Sequence, residues 1–416
     1  PDKVKMVLDK IKTDGLMPTL ETVFNKLGEP LPLGYCNVGK VIEVGEGVSE
    51  FKVGDRVASN GSHAEYVCVP KNLVAAIPDN VTDEQAAFTV IGSIGLQGIR
   101  LCEPTLGETI VVTGLGLIGL ITAQLLKANG CNVIGIDFDQ SKLELAKTWG
   151  ITTINPAQGE DPVKTVMQLT DGVGADGVII TASTKSNDVI SQAAQMSRQR
   201  GRIILVGVIG LDISRAEFYE KELTFQVSCS YGPGRYDENY ETKGSDYPLP
   251  FVRWTEKRNF ETILSSISKS YIEVNPLITE IIELKDYLQI YGDIGTSKSI
   301  ATILNYSNAT YTNTINVSKG NNRNSSNKSN KGIAIIGAGN FTKMTMLPAM
   351  KGLAMDMQYI VSSGGLSGTT LAKKFAIAHS TTDYNQTLSD ENVNTVVITT
   401  RHNLHAPIVK AALAAN

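Results

Sequence analysis

Histidine, cysteine and tryptophan are scarce in this chain, whose 416 residues include 4 His, 5 Cys and 2 Trp. The thiols Cys36, Cys68, Cys102, Cys131 and Cys229 are odd in number and far apart, with no C-x-x-C pair and no histidine at metal spacing. Their spacing argues against a disulfide scaffold and against a cysteine-built zinc lobe, and predicts reduced, buried thiols. A formal charge of −4 with no basic cluster argues against nucleic acid and anionic membrane surfaces as partners. No run of about 18 apolar residues is present to span a bilayer. No charged-then-apolar leader opens the sequence, so the cytoplasm is the expected location. The length exceeds what one core usually holds and predicts two or three domains.

Glycine is placed with more purpose. Ile110-Val111-Val112-Thr113-Gly114-Leu115-Gly116-Leu117-Ile118-Gly119 and Ile333-Ala334-Ile335-Ile336-Gly337-Ala338-Gly339-Asn340-Phe341-Thr342 each read as a strand, a glycine turn and the start of a helix. Such a turn lets backbone approach a pyrophosphate and aims unpaired helix N–H groups at its charge. After the first, Leu117, Ile118, Leu120, Ile121, Leu125 and Leu126 keep helical spacing until Asn129-Gly130, and the next strand ends in Asp137. An acid there accepts from the adenosine ribose hydroxyls and repels a 2′-phosphate, so NAD is favoured over NADP. The second turn has Thr342 where a third glycine belongs, and its next strand ends in Ser362-Ser363-Gly364-Gly365 with no acid, leaving NAD and NADP undecided.

Residues 38 to 70 alternate short apolar runs with turns, as a small β-barrel does, and residues 105 to 230 alternate strand and helix patterns, as a parallel sheet requires. From Asn305 to Lys331 the chain is rich in Asn, Ser and Thr and reads as a flexible linker.

The segments Leu33-Gly34-Tyr35-Cys36-Asn37-Val38-Gly39-Lys40-Val41, Val53-Gly54-Asp55-Arg56-Val57 and Gly114 to Asp137 resemble medium-chain, zinc-type alcohol dehydrogenases over roughly residues 30 to 304. Ser230-Tyr231-Gly232-Pro233-Gly234-Arg235-Tyr236-Asp237 and Val252-Arg253-Trp254-Thr255-Glu256-Lys257-Arg258-Asn259 narrow this to bi-domain oxidoreductases, where such a dehydrogenase is fused to a glucose-fructose oxidoreductase/inositol dehydrogenase-like domain. Val396-Val397-Ile398-Thr399-Thr400-Arg401-His402-Asn403-Leu404-His405 resembles the fourth strand of that second family and the loop beside the nicotinamide.

The resemblance implies an α/β protein. A GroES-like β-barrel domain (1–104 with 245–304) is followed by a Rossmann domain (105–244), the linker (305–331) and a second, partial Rossmann domain (332–416), both ends being expected to be truncated. It implies cofactor contacts from Gly114, Gly116, Leu117, Ile118, Gly119 and Asp137, and from Gly337, Gly339, Asn340, Phe341 and His405.

This chain departs from the first family where metal is bound. Gly34-Tyr35-Cys36 stands in place of Gly-His-Glu, Ser93 stands where many members have cysteine, and the four-cysteine lobe is absent. No metal ligands are therefore assigned and zinc is not expected. Hydride transfer still needs a proton partner. Tyr35, in the lost ligand position, His63 as a base and Arg235 as a grip on an anionic substrate are the catalytic candidates, each also open to a purely structural role; Arg253 and Arg258 share the arginine cluster.

The expected activity is NAD(P)-dependent oxidation or reduction at a hydroxyl or carbonyl of a small molecule, a sugar derivative or sugar nucleotide by resemblance, in a homo-oligomer. The alternatives are an NADPH-dependent quinone or enoyl reductase, and a non-catalytic NAD-binding sensor or scaffold.

Overall fold

The computed structural model describes residues 32–293, 298–306, 312–317, 332–351, 353 and 355–415. They form two compact units, the first running to the end of the 298–306 segment and the second holding the described residues from Thr312 onward. The part of the expected barrel domain that precedes Pro32 lies outside the described residues.

The first unit opens with an antiparallel sheet of β1 (Asn37–Lys40), β2 (Arg56–Ser59) and β3 (Val74–Ala76). Three strands are all of the expected barrel that the described residues show in this sheet. A parallel pair, β10 (Ile278–Glu283) with β11 (Ala301–Asn305), comes from the segment expected to complete that domain.

Between them lies a six-stranded parallel sheet of β4 (Thr109–Thr113), β5 (Asn132–Ile136), β6 (Thr152–Ile154), β7 (Ala175–Ile180), β8 (Ser197–Leu205) and β9 (Thr224–Val227), in the order β6-β5-β4-β7-β8-β9. The order reverses between β4 and β7, and such a reversal opens a crevice at the carboxyl ends of the strands. In β4, Ile110, Val111 and Val112 are all fully buried. Ile110 and Val112 join one apolar cluster and Val111 the other, because successive side chains leave opposite faces of a strand covered on both sides.

The helix Thr89–Cys102 packs closely because glycine recurs along it. A Cβ at Gly92 would press on Ile263 of the helix Glu256–Ser268, one at Gly95 would overlap Thr122 of the helix Leu117–Ala128, and one at Gly98 would meet Val206. Phe260, fully buried in the same apolar cluster, has its ring tilted against that of Tyr231 at a centroid distance of 5.4 Å.

The second unit carries a five-stranded sheet of β12 (Thr314–Asn316), β13 (Gly332–Ile336), β14 (Met357–Val361), β15 (His379–Thr381) and β16 (Val393–Ile398), ordered β12-β15-β14-β13-β16. β13 to β16 are parallel and repeat the nucleotide-binding order of the first sheet. β12 corrects the linker expectation. Within the polar 305–331 stretch, Thr314-Ile315-Asn316 pairs antiparallel with β15, helped by a 2.8 Å bond between Asn316 Oδ1 and His379 Nδ1. β-branched Thr314 and Ile315 suit an edge strand whatever the polarity around them.

Phe260→Ala should lower the unfolding free energy of the first unit by about 3–5 kcal/mol, read by denaturant titration, because it leaves a cavity where helices meet at glycine contacts. A loss below about 1 kcal/mol would show that the helices collapse into the space.

Candidate functional site

The first glycine turn sits at the sheet reversal. Gly114 has φ +94, and a Cβ there would lie 2.7 Å from the Ala182 backbone at the end of β7. At residue 119 a Cβ would overlap the Gly114 carbonyl, which also accepts from the Thr181 hydroxyl. Gly116 differs: nothing stands within 4 Å of where its Cβ would be. The fold therefore needs glycine at 114 and 119, while the space at 116 is open for a ligand's phosphates to approach backbone. Leu117 and Ile118 open the helix, their side chains half-buried.

Asp137 follows β5, half-buried, and its carboxylate is already engaged. Oδ2 accepts from Leu115 N at 2.6 Å inside the glycine turn, and Oδ1 accepts from Asp139 N at 2.9 Å. The acid thus braces the turn, a role that spacing does not reveal.

A cavity of about 930 Å³ opens beside this turn, lined among others by Leu117, Gly34, Tyr35, Cys36, His63 and Tyr291. Tyr35 and His63 are therefore brought together. Tyr35 is 47% exposed, its phenol pKa raised by burial and by Cys36. Burial pushes the Cys36 thiol up to about 12, against backbone hydrogen bonding at Ile91 and Val90, so it remains a neutral thiol. His63 has its pKa lowered by burial, and its Nδ1 lies 2.7 Å from the Tyr291 hydroxyl. Its ring rests on Gly34, where a Cβ would overlap it and where φ is +79. Tyr306, also on the wall, keeps a buried hydroxyl without a hydrogen-bond partner.

Zinc needs three nitrogen, sulfur or carboxylate donors around an open position. Among the described residues no group of three His, Cys, Asp or Glu side chains stands close enough together to hold a metal. Ser93, fully buried, donates to the Thr89 carbonyl of its own helix at 2.8 Å.

Arg235 does not line this cavity. Its Nη1 pairs with Glu241 Oε1 at 2.6 Å, and its guanidinium lies 4.1 Å from the Tyr236 ring centroid. Arg258 pairs with Asp246, and Arg253 stacks on Trp254 at 3.8 Å. Each of the three arginines is engaged by a nearby acid or aromatic ring. Beside Arg235, Glu256 is fully buried, and burial, then the charge of Glu241, push its carboxyl up to about 8. Lys221 donates to the carbonyls of Ala194 and Ser197 at a helix end. The thiols divide too: Cys102 and Cys131 are buried, whereas Cys68 and Cys229 are exposed.

The second turn solves the same packing problem with a side chain. Gly337 has φ +124, and a Cβ there would meet Thr399 at 2.6 Å, while the space at Gly339 is open. Thr342 is fully buried, and its hydroxyl donates to Gly337 O at 2.9 Å and lies 2.7 Å from Thr399 Oγ1. The helix begins with a π turn over Thr342–Met346, wider than an α turn. Asn340 and Phe341 are exposed at this turn, Phe341 by 61%. His405 Nε2 lies 2.8 Å from the Thr400 carbonyl, which fixes the ring at the start of the helix His405–Ala414.

Two outcomes follow from these contacts. Asp137→Ala should weaken NAD by at least about tenfold and NADP by less, in calorimetric titrations, because loss of the ribose acceptor touches NAD more, whereas the lost Leu115 brace touches both. Equal losses would mean that Asp137 acts only on the turn. Glu256 binds its proton more tightly folded than unfolded, so its contribution to stability is full below its ordinary value of 4.5 and is lost as pH rises through about 8. Glu256→Gln should flatten the fall in Tm between pH 5 and pH 8, and an unchanged fall would assign it to other groups.

Three family models match: the alcohol dehydrogenase GroES-like domain over residues 10–79, the zinc-binding dehydrogenase domain over 118–242, and the NAD-binding Rossmann fold of an oxidoreductase family over 331–416. Sorbitol dehydrogenase of Halalkalibacterium halodurans is 26% identical over 311 residues, covering 66% of this chain and 83% of that protein. (R,R)-Butanediol dehydrogenase of Bacillus subtilis is 25% identical over 306 residues, covering 66% and 80%. Among solved structures, galactitol-1-phosphate dehydrogenase from Escherichia coli is similar in fold at TM-score 0.55 and 22% identity, covering 65% of this chain and 84% of that one. The chain thus joins the GroES-like and dinucleotide-binding domains of zinc-type alcohol dehydrogenase-like oxidoreductases to an NAD-binding domain of the glucose-fructose oxidoreductase/inositol dehydrogenase type.

Proposed function

We propose that this protein is an NAD-preferring, zinc-independent oxidoreductase that interconverts a hydroxyl and a carbonyl on a small polyol or sugar derivative. One observation carries the proposal: a glycine turn with open space at Gly116, braced by Asp137, borders a cavity that holds Tyr35 and His63. Gly114, Gly116, Leu117, Ile118, Gly119 and Asp137 hold the cofactor, which accepts or returns hydride when bound. Tyr35 and His63 supply hydrogen bonds to the substrate oxygen, and the apolar wall excludes water. Polyol relatives support the substrate class, and Asp137 weighs against the NADPH-dependent quinone reductase alternative. Gly337, Gly339, Asn340, Phe341 and His405 form a second nicotinamide-nucleotide site, with no acid to exclude NADP.

Titration calorimetry of NAD, NADP and their reduced forms, with metal analysis on the same sample and turnover assays on sorbitol and 2,3-butanediol, tests this. The expected result is tighter binding of NAD than NADP at the first site, zinc well below one per chain, and polyol-dependent reduction of NAD. One firmly bound zinc per chain would overturn the metal-free assignment, and no nucleotide binding by folded protein would overturn the enzyme assignment.

A further inference from the structure

The cavity wall holds a hydrogen-bonded pair from distant parts of the chain, His63 before β3 and Tyr291 on the helix Tyr287–Asp293. Resting on the oxidoreductase reading above, we propose that Tyr291 is the catalytic acid and base at the substrate oxygen and that His63 is the positioning residue that receives its proton.

The other groups on that wall are less suited to the task. Cys36 is a neutral thiol held by backbone, and Asp83 pairs with Arg56. Lys40 and Glu84 are exposed; burial raises the phenol pKa of Tyr35, Tyr306 and Tyr291 alike, but of these three only Tyr291 has a base, His63, hydrogen-bonded to it among the described residues. Glu65 bears on Tyr306 and not on His63, whose own shift comes from burial alone. A neutral imidazole accepts at Nδ1 from the Tyr291 O–H, which leaves the phenol oxygen free to accept from a substrate hydroxyl.

In oxidation a nicotinamide nucleotide held at the first glycine turn would supply the acceptor for the hydride that leaves the substrate C–H bond. The substrate O–H proton would pass to the Tyr291 oxygen as the Tyr291 proton passes to His63 Nδ1, leaving a carbonyl and an imidazolium; reduction would reverse each transfer. Gly34 holds the geometry, because any side chain there would push the His63 ring off its seat.

The test uses the full chain. NMR of the His63 ring, assigned with His63→Gln among only four histidines, should show a midpoint below the ordinary histidine range that shifts in Tyr291→Phe, with nitrogen shifts of an Nε2–H tautomer. With sorbitol or 2,3-butanediol and NAD, Tyr291→Phe should lower kcat at least about 100-fold with little change in KM. His63→Gln should lower kcat less and remove the acidic limb of the kcat/KM profile, and Gly34→Ala should reproduce the His63→Gln behaviour. An ordinary His63 midpoint that ignores Tyr291→Phe, or full turnover by that variant, overturns the pair while the oxidoreductase reading stands. An intact pair in a chain that binds NAD but turns over neither polyol nor its ketone overturns the substrate reading and the catalytic role with it.

Discussion

The Gly114 carbonyl occupies the space that a side chain on residue 119 would need, and the dehydrogenase unit is organised around that contact. It brings the start of the helix Leu117–Ala128 against the ends of β4 and β7, with the Thr181 hydroxyl donating to the same carbonyl. Because the helix start is fixed, Leu117 reaches the wall of the cavity and unpaired N–H groups point into the crevice beside it. Asp137 ties the next strand into the same turn through Leu115 N. A change at any of these positions reaches cofactor, cavity and sheet together. The open space at Gly116 is the one place in the turn where the fold itself demands nothing.

The second turn shows that the constraint is one of space and hydrogen bonding, and that glycine is only its usual answer. Thr342 puts a side chain into the equivalent contact, and its hydroxyl donates to the Gly337 carbonyl alongside that of Thr399, which stands where Thr181 stands for Gly114. A π turn follows, and the Thr342 hydroxyl is satisfied in place. A threonine that looks like a defect in the fingerprint is thus a second way to close the same strand-to-helix junction.

What was legible in the sequence was what repeats locally. The Ile110–Gly119 pattern, the strand endings and the order of strand and helix announced both nucleotide-type sheets, because period and turn chemistry act over a few residues. Long-range pairing was not legible. His63 and Tyr291 stand 228 residues apart, and nothing near either marks the other. Arg235 read as an anion grip because its pairing with Glu241 is visible only in the fold. Thr314-Ile315-Asn316 was hidden by the polar residues around it, since an edge strand needs only one partner, and that partner, β15, comes much later in the chain.

Those limits bear on how chemistry is placed in a cavity where a phenol and an imidazole stand in hydrogen-bond contact. A metal ion polarises oxygen by charge and acts over a range of approach angles, whereas a phenol and an imidazole act through one directed bond. Such a pair demands tighter support from the backbone, and the support is visible: His63 N donates to the Leu33 carbonyl at 2.7 Å while its ring sits on a residue with no side chain and a positive φ. Partial burial lowers the His63 pKa and so favours the neutral imidazole, the state in which it can receive a proton. Gly34, which composition would class as an ordinary turn residue, is therefore what holds the cavity's imidazole beside its phenol.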